Sequence, residues 1–192
     1  IEAEVKLFGA VFDRREPHQS GSCWHIPLHG HRGAFHGWAL VDVEDFDRVR
    51  HVSWTVDPRG YVVGRPPNSR TTVSLHSMLL TIPVGMVADH INGNKRDNRR
   101  QNLRACSPKE NSRNTASKKA RSGVKGVSST PHGKWRARIM VDRREINLGR
   151  FVTIAEAKAA YDKAAIKHFG EFARLNDPES VPMTAVKVGP AM

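Results

Sequence analysis

Alternating apolar and polar residues predict a small antiparallel sheet between residues 122 and 151. Three short runs, 122–128, 133–141 and 145–151, are separated by turn-forming residues, which is typical of strands joined by tight turns. One side of the middle run carries the apolar residues Trp135, Ala137, Ile139 and Val141. The other side carries Lys134, Arg136, Arg138 and Met140. The pattern therefore predicts one apolar and one cationic face.

A helix is predicted to cover the apolar face of this sheet. Thr153 and Glu156 form a capping box, small residues then recur at helical spacing, and Gly170 is placed to end the helix. Small side chains let a helix lie close to a sheet, so we expect three strands packed on one helix. Tyr161 and His168 are interpreted as packing residues without a catalytic role.

Ahead of this module, the sequence predicts a strand, a polar loop, a second strand and a helix. The loop contains the Asn- and Gly-rich residues 92–94, which tolerate a positive φ. Ser107 and Glu110 form a capping box with proline at the first helical position. The helix that begins there is expected to run to about Lys118.

The N-terminal part of the chain is predicted to be β-rich. Residues 38–42 and 60–64 are short apolar runs bounded by turn residues, as strands are, and 42–52 predict a short helix between them. The expected fold class is therefore α+β. The expected domains are an N-terminal segment at 1–75, a finger at 76–121, a sheet-and-helix module at 122–176 and a flexible tail at 177–192.

Basic residues are concentrated in the middle of the chain. The 192 residues include 31 Lys and Arg and 19 Asp and Glu, a formal net charge of +12. Residues 1–88 contain equal numbers of both signs, whereas 89–126 contain eleven basic and three acidic residues. This excess predicts a phosphate backbone as partner, although a solvated linker could have the same composition. The row of three cations on the sheet face favours a polyanion, since these charges repel one another without an anion opposite them.

Composition excludes several classes of protein. A hydrophobic content of 39% argues against global disorder, and no run of 18 apolar residues predicts a membrane span. The first residues lack an apolar signal core, so we expect a cytoplasmic protein, in a host cell or its nucleoid, that is not secreted. Cys23 and Cys106 are too few for a disulfide scaffold, although one bridge stays open. The spacing of Cys23, His25, His29 and His31 matches no strong zinc pattern, so these histidines are interpreted as surface or packing residues.

Three polar residues of the finger have the chemistry of a hydrolytic metal site. Asp89 and His90 leave the first predicted strand together, and Asn111 lies in the first turn of the predicted helix. A carboxylate and an amide oxygen suit a hard cation such as Mg²⁺. An imidazole can accept a proton from water near neutral pH. These residue types are consistent with hydrolysis of a phosphodiester by water without a covalent intermediate.

The spacing of Asp89-His90, Asn102 and Asn111 resembles the HNH motif of homing endonucleases from phages and bacterial mobile elements. That family folds as a ββα-metal finger. The resemblance implies that His90 is the general base, that Asp89 and Asn111 bind the metal, and that Asn102 pins the connecting loop so that the histidine is aimed.

Two departures from the family bear on the metal. Asn111 stands where many members have histidine, and Thr115 replaces a further histidine of some relatives. The resemblance therefore implies Mg²⁺ or Mn²⁺ and disfavours zinc. His76, ahead of the motif, is interpreted as structural or phosphate-contacting.

Five motifs run through the C-terminal module: Val124-Lys-Gly-Val127, Gly133-Lys-Trp-Arg-Ala-Arg-Ile139, Leu148-Gly-Arg-Phe151, Ala160-Tyr-Asp-Lys-Ala-Ala165 and Ala173-Arg-Leu-Asn176. Together they resemble the APETALA-two/ethylene-response-factor (ERF) DNA-binding domain. The resemblance implies a three-stranded sheet in the major groove of double-stranded DNA, with Lys125, Lys134, Arg136 and Arg138 as contacts. Other positions of that face differ from plant members, so their target sequence is not transferred.

The two resemblances imply a metal-dependent HNH DNA endonuclease of homing type, with site preference from the C-terminal sheet and no protein partner. The alternative is a sequence-specific DNA-binding transcription regulator with an inactive HNH finger. An RNA-binding protein is less favoured because few aromatic residues are arranged as stacking platforms.

Overall fold

The computed structural model describes residues 16–115 and 122–177. The chain forms two compact units, Ile1–Cys106 and Ser107–Met192. The predicted fold class is confirmed, because the structure is α+β with a β-rich N-terminal part and a three-stranded antiparallel sheet packed on a helix. The four-part domain division stays a prediction, and all but the first residue of the expected tail lies outside the described residues.

The first unit contains a six-stranded sheet. Its strands are β1 His18–Ser20, β2 Cys23–His29, β3 Phe35–Asp42, β4 Ser53–Val56, β5 Val62–Arg65 and β6 Val73–Ser74. Strand β2 pairs antiparallel with β1 and β3, and parallel with β4 where Leu28 lies opposite Trp54. From β4 the sheet continues antiparallel to β5 and β6. The strands expected near residues 38–42 and 60–64 are confirmed as β3 and β5.

Two short helices pack with this sheet. Helix α1 is Phe46–Val49, which confirms a short helix within 42–52, and helix α2 is Leu75–Leu79. The buried Trp54 indole anchors α1, because its Nε1 donates to the carbonyl oxygen of Val49 at 3.0 Å. The hydrophobic core comprises Ile26, Leu28, Ala39, Val41, Val49, Val52, Trp54, Val62, Leu75, Leu79 and Leu103.

A separate hairpin completes the first unit. Its strands, β7 Val87–His90 and β8 Leu103–Cys106, pair antiparallel with His90 opposite Leu103. Because Leu103 belongs to the core of the six-stranded sheet, the hairpin and the sheet share one hydrophobic cluster. The strand, loop and strand predicted for this segment are thus present.

The second unit begins with helix α3, Pro108–Arg113. The predicted capping box is confirmed, since the Ser107 side chain accepts from the Glu110 amide and the Glu110 carboxylate accepts from the Ser107 amide. The expected extension of this helix to about Lys118 is wrong, because the helix is capped at Asn114 and Thr115 is not helical. The Thr115 hydroxyl donates to the carbonyl oxygen of Asn111 at 3.3 Å, a local bond of the kind that competes with helix continuation.

The remainder of the second unit is the predicted sheet and helix. Strands β9 Val127–Ser129, β10 Trp135–Val141 and β11 Arg144–Phe151 pair antiparallel with β10 in the centre. Helix α4, Ile154–Phe169, starts at the Thr153 capping box and ends at Gly170. It packs Tyr161, Ala164 and Ala165 against Ile139, which confirms that Tyr161 is a packing residue.

The first strand of this sheet is shorter than expected because Gly126 turns the chain just before it. Gly126 has φ +73°, and a Cβ there would lie 2.1 Å from the Tyr161 ring. Only glycine fits this conformation and this close approach. Within residues 16–115 and 122–177, no helix is long and apolar enough to cross a membrane.

Candidate active site and nucleic-acid interface

The β7–β8 hairpin buries the carboxylate that the sequence assigns to metal binding. Asp89 lies opposite Arg104 on the neighbouring strand, and both side chains are nearly inaccessible to solvent. The Arg104 Nη2 and Nε atoms donate to Asp89 Oδ2 at 2.7 and 2.9 Å. The charge of Asp89 is therefore balanced within the hairpin, and any cation that binds this carboxylate shares it with Arg104.

His90 is buried, and its ring is oriented by a residue that the sequence analysis missed. Asn98 Oδ1 lies 3.2 Å from His90 Nε2, and Asn98 Nδ2 donates to the carbonyl oxygen of Lys95 at 3.3 Å. Because the second bond fixes the amide orientation, Nε2 must be the donor to Oδ1. In the neutral ring the lone pair then lies on Nδ1, which is the basic nitrogen of that tautomer.

Burial lowers the pKa of His90 below its ordinary value, because the charged imidazolium loses solvation. The Asn98 hydrogen bond and the Asp89 charge oppose this shift, and the Lys95 charge adds to it. The net direction keeps the imidazole neutral near neutral pH, which is the form that a general base requires.

Two aromatic side chains accompany the His90 ring. Its centroid is 5.4 Å from that of His76 and 6.1 Å from that of Tyr61. Burial, with the nearby His90 as a second cause, lowers the pKa of His76 to about 4. Lys95 Nζ lies 3.7 Å from the Tyr61 ring centroid, a cation–π contact. No spacing in the sequence relates Tyr61 to the HNH motif, so this neighbour was not predicted.

Asn102 joins the two ends of the loop between β7 and β8. Its Oδ1 accepts from the Asn92 amide at 2.9 Å, and its Nδ2 donates to the carbonyl oxygen of Asp97 at 2.7 Å. Its own carbonyl oxygen accepts from the Ile91 amide. These are contacts that pin a loop, whereas the effect of Asn102 on catalysis stays a prediction.

The six-stranded sheet holds the same loop from outside. The Leu40 amide donates to Arg96 O, and the Asn98 amide donates to Leu40 O, each at 2.8 Å. The fully buried Asp45 accepts from Arg100 Nη2 at 2.6 Å and from Arg48 Nη1 at 3.0 Å. The N-terminal segment is therefore a support for the loop that carries Asn98.

The predicted metal ligands fall in different units of the chain. Asp89 lies in the first unit, and Asn111 lies in α3 of the second unit, where its side chain is partly exposed. Among residues 16–115 and 122–177, no group of three or more His, Cys, Asp or Glu side chains is placed to hold a metal.

Three of the eleven basic side chains in residues 89–126 have carboxylate partners within the first unit. Arg99 pairs with Asp97 at 2.8 Å, and Arg100 and Arg104 pair with Asp45 and Asp89. These three guanidinium groups are therefore less available to a phosphate backbone than the charge count of the segment alone indicates.

Lys125, a predicted DNA contact, is also engaged inside its unit. Its Nζ donates to the carbonyl oxygens of Arg113 and Thr115, the latter at 2.7 Å. Burial, with a contribution from the Arg174 charge, lowers its pKa to about 8. In this arrangement the ammonium group stabilises the C-terminal end of α3.

The exposed face of the second-unit sheet is not uniformly cationic, which corrects the expectation of three mutually repelling charges. Glu145 of β11 bridges Arg136 and Arg138 of β10, with N–O distances of 2.5 and 2.7 Å. The Glu145 carboxylate is thus an anion within the chain that reduces the repulsion between these arginines. Lys134 is exposed and lies immediately before β10.

Comparison with known proteins assigns the hairpin and α3 to a class. A family model described as HNH endonuclease matches residues 81–113, which contain β7, β8 and α3. Protein 3.8 of Escherichia phage T7 is 36% identical over 96 residues, which are 49% of this chain and 78% of that protein. The chain belongs to the HNH endonuclease family.

Other relatives match longer or different parts of the chain. An HNH endonuclease of Acanthamoeba polyphaga mimivirus is 28% identical over 145 residues, 72% of this chain and 74% of that protein. The C-terminal region is similar to dehydration-responsive element-binding protein 2D of Arabidopsis thaliana, with 47% identity over 66 residues. That match covers 32% of each protein, so the chain spans only a third of this plant relative.

Proposed function

We propose that the chain is a metal-dependent, homing-type DNA endonuclease that acts in the cytoplasm or nucleoid of its host cell. The observation that carries this proposal is the buried His90, whose ring is oriented by the hydrogen bond from Nε2 to Asn98, so that Nδ1 is the basic nitrogen of the neutral ring. Membership of the HNH endonuclease family supports cleavage of a nucleic acid. The similarity to a dehydration-responsive element-binding protein supports DNA as that nucleic acid.

In the proposed reaction, His90 Nδ1 removes a proton from water as the water oxygen attacks the phosphorus. The new P–O bond forms as the bond to the 3′ oxygen breaks, the departing oxygen takes a proton from solvent, and the imidazolium afterwards returns its proton to solvent. No covalent enzyme intermediate is needed. Asn98 holds the ring orientation, and Asn102 holds the loop that carries Asn98.

A divalent cation is part of the proposal, because a carboxylate and a carboxamide oxygen are hard donors that suit Mg²⁺ or Mn²⁺ better than zinc. Asp89 and Asn111 would hold it, as the HNH resemblance implies. When bound, such an ion would stabilise negative charge on the phosphate.

DNA binding is proposed for the second-unit sheet. Its contacts would be Arg136 and Arg138 with the exposed Lys134, whereas Lys125 would act mainly through the end of α3. The similarity to a DNA-element-binding relative supports this assignment.

A plasmid-cleavage assay tests the nuclease. With Mg²⁺, the full chain should nick or linearise the plasmid, EDTA should stop the reaction, and His90→Ala should lower the rate by at least about 10². His51→Ala, which removes an exposed histidine of the same unit, is the matched control. Equal rates for wild type and His90→Ala would remove His90 from the mechanism.

A DNA-binding regulator with an inactive finger is the second candidate, favoured by the ion pair between Asp89 and Arg104. It predicts DNA binding without cleavage under any divalent metal. Repeating the assay with Mg²⁺ and Mn²⁺, alongside a gel-shift measurement, separates the two functions.

A further inference from the structure

One carboxylate on the exposed sheet of the second unit is shared by two arginines. We call this surface the reading face. It consists of Arg136, Arg138, Met140, Glu145, Asn147 and Arg150. Cross-strand pairing puts these side chains on one side, because Arg136 lies opposite Arg150, Arg138 opposite Asn147, and Met140 opposite Glu145.

The two carboxylate oxygens of Glu145 have different partners. Oε1 accepts from Arg136 Nη2, and Oε2 accepts from Arg138 Nη1. The side chains of Arg136, Arg138 and Glu145 are 38%, 49% and 35% exposed to solvent. The cluster is therefore a surface feature that a DNA duplex can reach, and solvent and salt can weaken it.

Each arginine keeps donors for another partner while this cluster is intact. A guanidinium group has five N–H donors, and Glu145 accepts one hydrogen bond from each arginine. The remaining N–H groups can meet neutral acceptors such as the O6 and N7 atoms of guanine. A phosphate that approaches the same edge instead meets the negative charge of Glu145.

This difference separates two modes of DNA binding. Phosphate contacts carry no sequence information, whereas base-edge contacts do. A fixed carboxylate between two arginines opposes the first mode by like-charge repulsion. It also limits the rotamer freedom of both arginines before DNA arrives, which lowers the entropic cost of a specific contact.

We propose that Glu145 is a specificity-determining residue of the reading face: it weakens binding through phosphates alone and holds Arg136 and Arg138 for base edges. This inference rests on the DNA-binding part of the proposed function. It does not require cleavage.

The test compares binding of the full chain to two DNA duplexes in EDTA. The first duplex is obtained by selecting a random library with the wild-type protein, and the second has the same composition in scrambled order. Glu145→Gln should bind the scrambled duplex about 3- to 10-fold more tightly while affinity for the selected duplex rises less or falls. The salt slope for the scrambled duplex should steepen by about 1, as expected for one added phosphate contact.

The matched control is Asp47→Asn, which also removes one exposed acidic charge that pairs with an arginine, here Arg50 of the first unit. It should leave the ratio of the two affinities unchanged. Circular dichroism of both variants checks that each protein is folded.

Distinct outcomes separate this inference from the nuclease proposal. If wild type prefers the selected duplex and Glu145→Gln retains the same ratio, the role of Glu145 is wrong. Equal loss of affinity for both duplexes also overturns it, as does absence of any preference in wild type. If discrimination changes as expected but no divalent metal supports plasmid cleavage, the inference stands and the nuclease proposal fails.

Discussion

The β7–β8 hairpin and the reading face both contain an arginine–carboxylate pair, but they differ in exposure. In the hairpin, the side chains of Arg104 and Asp89 are only 12% and 5% exposed. On the reading face, those of Arg138 and Glu145 are 49% and 35% exposed. Burial fixes the charge and orientation of the pair, as a reacting centre requires. Exposure instead lets each charged group exchange its partner for a group on DNA. The same pair of residue types therefore suits different tasks in the two regions.

The largest expected effect comes from removing the hairpin carboxylate. Asp89→Ala should lower metal-supported plasmid cleavage by about 10³, because a bound cation contributes several kcal/mol to stabilising transition-state charge. DNA affinity in EDTA should not change, since the residue is buried. Asp89→Asn, which keeps the side-chain shape opposite Arg104, controls for misfolding. Cleavage within tenfold of wild type in both variants contradicts the assignment.

The next effect concerns orientation of the base. Asn98→Leu should lower kcat by about 10² with little change in KM, because a misdirected ring loses the near-attack geometry. Asn98→Asp keeps an oxygen acceptor for Nε2 and should retain more activity. Nitrogen NMR of His90 gives an independent readout: wild type should show the neutral ring protonated at Nε2, and the leucine variant should lose that preference. An unchanged tautomer with reduced activity would point to a purely structural defect.

A smaller effect is expected at the support of the loop. Asp45→Asn should lower the free energy of unfolding by about 2 kcal/mol, since three charge-assisted hydrogen bonds from two half-exposed arginines are weakened. Burial alone would raise the pKa of Asp45, but the hydrogen bonds and charges of Arg100 and Arg48 outweigh it and lower the pKa.

The lowered pKa of Asp45 sets the direction of its pH dependence. Its stabilising contribution is complete above the ordinary aspartate pKa and is lost as pH falls through the lower folded-state value. Urea unfolding at neutral and acidic pH measures this. The difference between wild type and Asp45→Asn should shrink in acid, and a constant difference would contradict the ion-pair explanation.

The smallest expected effect is on the salt dependence of DNA binding, which should respond to exposed arginines but not to arginines paired with buried carboxylates. Arg150→Gln on the reading face should make the salt slope of DNA binding shallower by about 1. Arg100→Gln, whose guanidinium is paired with the buried Asp45, should leave the slope near the wild-type value. Fluorescence anisotropy at several salt concentrations checks both, and an equal change in the two variants would erase the proposed difference between the regions.

Local patterns predicted the elements of this protein well. Capping boxes at Ser107 and Thr153 located two helix starts, and alternation along residues 135–141 located the central strand of the reading face. These signals lie within a few neighbouring residues, so the sequence displays them directly. The end of α3 at Asn114 was missed because no glycine or proline marks it in the sequence.

Pairings between distant residues could not be predicted in the same way. The contact of Asn98 with His90 depends on the course of the loop after β7. The contacts of Tyr61 with His76 and of Asp45 with Arg100 depend on how separate elements of the first unit come together. No local pattern in the sequence marks such pairs. Alternation along β10 does not reveal the bridge from Glu145 to two arginines, because Glu145 belongs to the neighbouring strand β11.

Two backbone hydrogen bonds join Leu40 of β3 to the loop residues Arg96 and Asn98. They limit how the HNH finger can be transferred between genes by recombination. A recombination event that transferred only residues 81–113 would deliver a hairpin without the strand edge that receives its loop. A host protein would need to offer an equivalent amide and carbonyl at one position, or acquire β3 in the same event. Gene fusions that keep β3 with the finger should therefore yield functional chimaeras more often than fusions cut between them.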